Sequence, residues 1–220
     1  MQLIKINQDY DLTYLFASLT ILLILVPIGH SIELVRYAIN TVFTFMITEI
    51  LFQHIKQKTV NFSMIIVTTS SVLMLWISTF YKAPKSEIIY TISHLIFYAY
   101  LAILLSRRVI SSKTFNNNTI FGSLSIYISA AFSWGYLYAL MKIVEPSTFG
   151  ADYTILESQV VESMVYFSFI TITTLGYGDI YPSSPFAGSF VILEVMFGQI
   201  FFAVVIAKIV SLSLVEQLKK

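Results

Sequence analysis

Thr173-Thr174-Leu175-Gly176-Tyr177-Gly178-Asp179 is the stretch that decides the architecture of this 220-residue chain. Glycine reaches positive φ without steric cost, so Gly176 and Gly178 allow an extended ribbon to turn successive carbonyls to one side. Oxygens aligned in this way can replace the water around a cation. Thr174 adds a hydroxyl oxygen at one end of the ribbon, and Tyr177 adds a ring that can hold its diameter. A chance Gly-x-Gly turn is the alternative, and the surroundings of the motif must decide.

Those surroundings are apolar. The chain is 57% hydrophobic and 11% charged, with a mean hydropathy of +0.80. A soluble domain carries about 25% charge, so the composition is that of an integral membrane protein. A net charge of +1 with no basic stripe excludes a nucleic-acid partner. Without cysteine there is no disulfide, thiolate metal site or cysteine nucleophile. His30, His54 and His94 are scattered without metal-ligand spacing. No phosphate loop or catalytic triad is present, so neither an enzyme nor an organic cofactor is expected. The Ile, Phe, Tyr, Asn and Lys bias points to an AT-rich bacterial genome.

A membrane crossing needs about 20 apolar residues. Six stretches qualify, near 12–29, 35–53, 61–80, 87–106, 120–141 and 186–212. The segment 158–171 is apolar but too short to cross. The first stretch follows Asp9 and Asp11 rather than a basic region, and reads as a retained helix, not a signal peptide. The chain divides into a four-helix module at 1–106, a cytoplasmic linker at 107–118, and a second module at 119–220. Asn117-Asn118-Thr119 matches a glycosylation acceptor but falls on the cytoplasmic side.

With the ribbon opening outward, both termini are cytoplasmic. Lys5, Lys56, Lys58, Arg107, Arg108, Lys113, Lys208, Lys219 and Lys220 then lie inside, against Arg36, Lys82, Lys85 and Lys142 outside. That bias obeys the positive-inside tendency. Pro27, Pro84, Pro146, Pro182 and Pro185 all fall at or near the outer surface, leaving span interiors their hydrogen bonds.

The motif resembles the signature of the potassium channels, Thr-Val/Ile-Gly-Tyr-Gly-Asp, and the likeness runs from Phe121 to Leu212. The resemblance is to a six-helix, one-pore-loop type of bacterial channel in the cell membrane. It implies an all-α membrane protein with six transmembrane helices, a re-entrant pore helix and a selectivity-filter loop. One motif supplies one wall, so a homotetrameric pore is expected, with the lipid bilayer as its other partner. A separate regulatory subunit is an open possibility. The filter residues would be Thr173, Thr174, Leu175, Gly176, Tyr177 and Gly178, with K⁺ held at Thr174, Leu175, Gly176 and Tyr177. Potassium is thus both cargo and the only bound group expected.

Val165-Tyr166-Phe167-Ser168-Phe169-Ile170-Thr171 resembles the pore helix, whose C-terminal end would present negative dipole to a cation. Tyr166 and Phe167 stand in the places of a usual tryptophan pair. Glu157 and Glu162, near the opposite end, suit either a helix N-terminus or a solvated mouth. Two departures stand out. Leu175 replaces Val or Ile, an unbranched Cβ that is less stiff at χ1. Asp179 would pair with a tryptophan and a glutamate, but those positions are Tyr166 and Ile170, and only Tyr166 can donate. Looser bracing of the filter and altered slow inactivation follow.

In the last span Gly198 sits where the family often has a hinge glycine, and there is no Pro-x-Pro kink. Gln199, Phe202, Ile206 and Val210 repeat at helical spacing; they would line a cavity, or merely pack. Ile206 and Val210 are the gate candidates, since large apolar residues close pores by dewetting. Glu194 supports the filter from behind, within reach of Ser168, Thr171 or Thr173, either as a structural hydrogen-bond partner or as a proton sensor. Lys208 is expected to snorkel to the inner surface.

The fourth span (IIYTISHLIFYAYLAILLS) carries no arginine; Arg107 and Arg108 come only at its inner end. A conventional voltage sensor is therefore excluded. His94 reads as a core histidine, Glu49 as an interfacial residue beside Lys56 or Lys58, and Tyr90, Phe97, Tyr98 and Tyr100 as packing groups. With few residues after the last span, no attached nucleotide- or calcium-binding domain is expected. A passive potassium-selective channel is the leading reading. A weakly selective cation channel, the membrane subunit of a potassium transporter, and a non-conducting modulatory subunit are the alternatives.

Overall fold

A computed structural model describes residues 12–26, 33–56, 61–80, 84–112, 116–151 and 159–217. Glu157, Pro27 and His30 lie outside these ranges, as do both termini, and the side chains of Lys56 and Lys58 that were expected beside Glu49 are likewise outside the description. Seven α-helices run in chain order: α1 Leu12–Leu25, α2 Glu33–Lys56, α3 Phe62–Phe80, α4 Pro84–Ser111, α5 Asn117–Val144, α6 Val160–Ile172 and α7 Pro185–Gln217. Two short strands, β1 Phe149–Ala151 and β2 Ile180–Pro182, pair antiparallel.

Local chemistry sets the helix ends. Pro84 and Pro185 begin α4 and α7, where a missing amide proton costs nothing. Asn116 caps α5, its Oδ1 accepting from the Thr119 amide at 3.0 Å. Pro146 follows directly after α5 and opens a single 3₁₀ turn, Pro146–Thr148.

Four helices are long and apolar enough to cross a membrane: Phe62–Phe80, Ser86–Ser111, Asn117–Val144 and Pro185–Leu214. The apolar parts of the first two helices, Leu12–Leu25 and Tyr37–Leu51, are shorter. At 1.5 Å per residue, 14 residues of α1 span only about 21 Å. The first two of the six expected crossings therefore fall short within the described residues. The linker is also narrower than 107–118: α4 continues through Arg107–Ser111, and α5 begins at Asn117.

The helix α5 is the central post, packed against α1, α4, α6 and α7. Leu12, Leu15, Leu19 and Leu22 form one buried face of α1. Phe97 and Tyr98 of α4 are buried, with Tyr98 stacked on Phe132 (ring centroids 4.7 Å) and Tyr136 (5.6 Å) of α5. His94 is a core side chain: its Nδ1 lies 3.0 Å from the Tyr90 carbonyl and its ring stacks on Tyr136. Lipid is as apolar as leucine, so close approach rather than hydrophobic gain must hold such helices together. Two glycines provide it. A Cβ on Gly122 would come within 2.8 Å of Val109, and one on Gly135 within 2.7 Å of the Val165 backbone on α6.

Candidate functional site

The ribbon leaves α6 at its C-terminal end, where Thr173 caps the helix. Thr174 (φ 59°), Gly176 (φ 55°) and Gly178 (φ 80°) adopt positive φ at every second residue. Such alternation turns successive peptide planes the same way. Glycine accepts it readily, but a β-branched residue does not, so Thr174 is a strained position of order 1–3 kcal/mol.

The amides show which side is which. Thr174 N donates to the Thr171 carbonyl (2.9 Å), while Leu175 N and Gly176 N both donate to the Ile170 carbonyl (2.9 and 3.0 Å). Three successive N–H groups thus turn back onto the end of α6. Among the described residues no hydrogen bond reaches the carbonyls from Thr174 to Gly178, and Thr173 through Gly178 are all exposed on the protomer. Backbone acceptors seek partners, and a run of carbonyls without them can offer its oxygens to a cation. The Thr174 hydroxyl donates to the Thr173 carbonyl (2.6 Å), leaving its oxygen lone pairs available.

Behind the ribbon the bracing is specific. Tyr166 donates to Asp179 Oδ2 at 2.9 Å, as its hydroxyl allowed, and Asp179 Oδ1 accepts from the Ile180 amide at 3.1 Å. Ile170 offers no such bond and is buried with Tyr138, Phe149, Phe167 and Ile180. Phe167 meets Tyr138 and Phe149 edge to face, both at 5.5 Å between centroids. Tyr127 of α5 donates to the Ile172 carbonyl at 2.9 Å.

Glu194 lies on α7 with 0% of its surface exposed. Tyr138 of α5 donates to its Oε2 at 2.8 Å, and Ser168 of α6 bonds its Oε1. Ser168 was among the partners its sequence position suggested; Tyr138 was not. Gly198 sits one turn further along α7, where a Cβ would come within 2.7 Å of the Ile172 carbonyl. It lies in an uninterrupted helix and is a point of close contact with the end of α6. Gln199, Phe202, Ile206 and Val210 form a separate, exposed face of α7.

Two features escaped the sequence reading. Strand β1 pairs with β2 (Phe149 with Pro182, Gly150 with Tyr181, Ala151 with Ile180), fastening the segment before α6 to the one after the ribbon. The Tyr181 ring lies over Gly150, where a Cβ would come within 2.6 Å of it. Lys208 does not simply reach for the surface: its Nζ donates to the Val109 and Ile110 carbonyls (2.5 and 2.6 Å), in the last turn of α4. Only its charge in a span hinted at a specific partner.

Residues 118–213 match the model of a family described as ion channel, under half of the chain. That region begins in α5, includes α6 and the ribbon, and ends in α7. No curated protein and no solved structure matches significantly. The matched region is thus of ion-channel type, and the apolar helices make the chain a membrane protein.

Proposed function

We propose that four copies of this chain surround one axis and conduct K⁺ passively and selectively along it. The observation that carries the reading is the ribbon of unpaired carbonyls from Thr174 to Gly178, whose preceding amides are tied back to α6. Four such ribbons face to face supply stacked oxygen cages that replace the hydration shell of K⁺. The protomer's exposures support this: Leu175 is 55% and Tyr177 67% exposed, as for groups awaiting copies of the same chain.

In the assembled channel α5 is the outer helix, α6 the pore helix and α7 the inner helix. Four α6 C-terminal ends lend partial negative charge to the centre. The exposed face of Gln199, Phe202, Ile206 and Val210 lines the inner cavity, with Ile206 and Val210 at the gate. Helices α1 to α4 complete a six-helix subunit of the plasma membrane, with both termini in the cytoplasm.

The test is the reversal potential of the purified full-length protein in planar bilayers, with K⁺ on one side and Na⁺ on the other. Reversal near the K⁺ equilibrium potential is expected. Reversal near zero would replace the proposal with a weakly selective cation channel. Absence of current from the chain alone would favour a transporter subunit or a modulatory one.

A further inference from the structure

Ser168 makes one contact too many for an ionised Glu194. Its Oγ bonds Glu194 Oε1 and also lies 2.7 Å from the Ala131 carbonyl of α5, yet a hydroxyl has one proton. A carboxylate at 194 would claim that proton, leaving two lone pairs opposed at 2.7 Å between Ser168 and Ala131. A carboxylic acid resolves the conflict. Tyr138 donates to Oε2, the acid proton on Oε1 goes to Ser168, and Ser168 donates to Ala131, so each contact holds one proton.

The neighbours agree. Among the described residues Tyr138 and Tyr127 of α5 are the titratable groups that face Glu194; from α6 comes Ser168, and no lysine, arginine or histidine is among its partners. A charged carboxylate without a cationic partner is costly within a span.

We infer that Glu194 is held as a neutral carboxylic acid, and that its donated proton clasps α5, α6 and α7 together as a positioning device for the ion-binding ribbon. Ser168 lies two residues before Ile170, whose carbonyl anchors the Leu175 and Gly176 amides. Removing the acid proton withdraws the bond that fixes this part of α6, and the ribbon beyond it loses its reference. The conduction half of this inference rests on the channel reading above; the protonation half does not.

Infrared difference spectroscopy of the full-length protein in lipid at neutral pH tests the first half. Wild type minus Glu194→Gln should show a carboxylic-acid carbonyl band that moves in heavy water. Carboxylate bands in its place would overturn the inference. Ser168→Ala, which removes the acceptor of the acid proton, should shift that band upward; an unmoved band would equally overturn it. For the second half, Glu194→Val should lose selective current and Glu194→Gln should restore it, while alkalinisation should depress the wild-type current alone. Wild-type selectivity in Glu194→Val, or an alkaline loss shared by Glu194→Gln, would refute the positioning role. A silent wild type would count against the channel reading, with the infrared band still deciding the state of Glu194.

Discussion

Thr174 carries the least comfortable backbone of the candidate site, a β-branched residue at φ 59° held by the Thr171 carbonyl behind it. Among the described residues nothing in the protomer crowds Gly176 or Gly178, so a methyl at either position is opposed by backbone conformation rather than by space. Gly178→Ala should therefore strain each ribbon by about 1–2 kcal/mol and abolish discrimination between K⁺ and Na⁺, read as a permeability ratio. The Tyr166–Asp179 bond is the brace that remains where Ile170 supplies none. Tyr166→Phe should weaken it by about 1 kcal/mol per subunit and speed the slow decay of current. Ile170→Glu should alter that decay too, and an unchanged time course would contradict the bracing account. Glu145, in the loop after α5, has its carboxyl held below the usual range by bonds from the Ser147 hydroxyl and amide. Its contribution to the loop is present above the ordinary carboxylate range and lost only as pH falls through the lowered value. A nuclear magnetic resonance titration should show Ser147→Ala returning Glu145 toward the ordinary range.

Helix α7 shows how elements divide their faces. Glu194 and Gly198 turn inward to α5 and α6, while Gln199, Phe202, Ile206 and Val210 stay exposed. Gly198→Ala would force a methyl against the Ile172 carbonyl and should destabilise the protein by about 1–3 kcal/mol, seen as a lower melting temperature. At the far end Lys208 donates to the Val109 and Ile110 carbonyls in the last turn of α4, joining α7 to α4. Lys208→Met should weaken that union by about 1 kcal/mol and lower the melting temperature in detergent, where a merely snorkelling lysine would leave it unchanged. Much of this layout was legible in advance, because glycine spacing and apolar length are local properties. Helices α3 to α7 follow from them, whereas the Tyr166–Asp179 pairing was implied only by the resemblance to the potassium channels. The β1–β2 pairing was not legible, since three-residue strands carry no period and the central pair, Gly150 and Tyr181, is 31 residues apart. Nor was the reach of α4 through Arg107–Ser111, where polar residues read as linker but continue the helix into its contact with Lys208.

Among the described residues one buried cluster runs from α1 through α4 and α5 to Val165 of α6, so the first helices pack directly against the matched region, and a second cluster around Tyr138, Phe167 and Ile170 lies behind the ribbon. That continuity is what local patterns could not convey: the linker looked like a boundary, yet Val109 packs against Gly122 across it. On the channel reading proposed above, the exposed ribbon and the exposed side chains of α7 would meet the same surfaces of further copies. The decisive measurement is a density map of the purified assembly in K⁺ and again in Na⁺. Four subunits are predicted about one axis, with ion density between the levels of Thr174 and Tyr177 in K⁺ that weakens in Na⁺. A monomer, a dimer, or four ribbons enclosing an axis empty of ions would contradict the account.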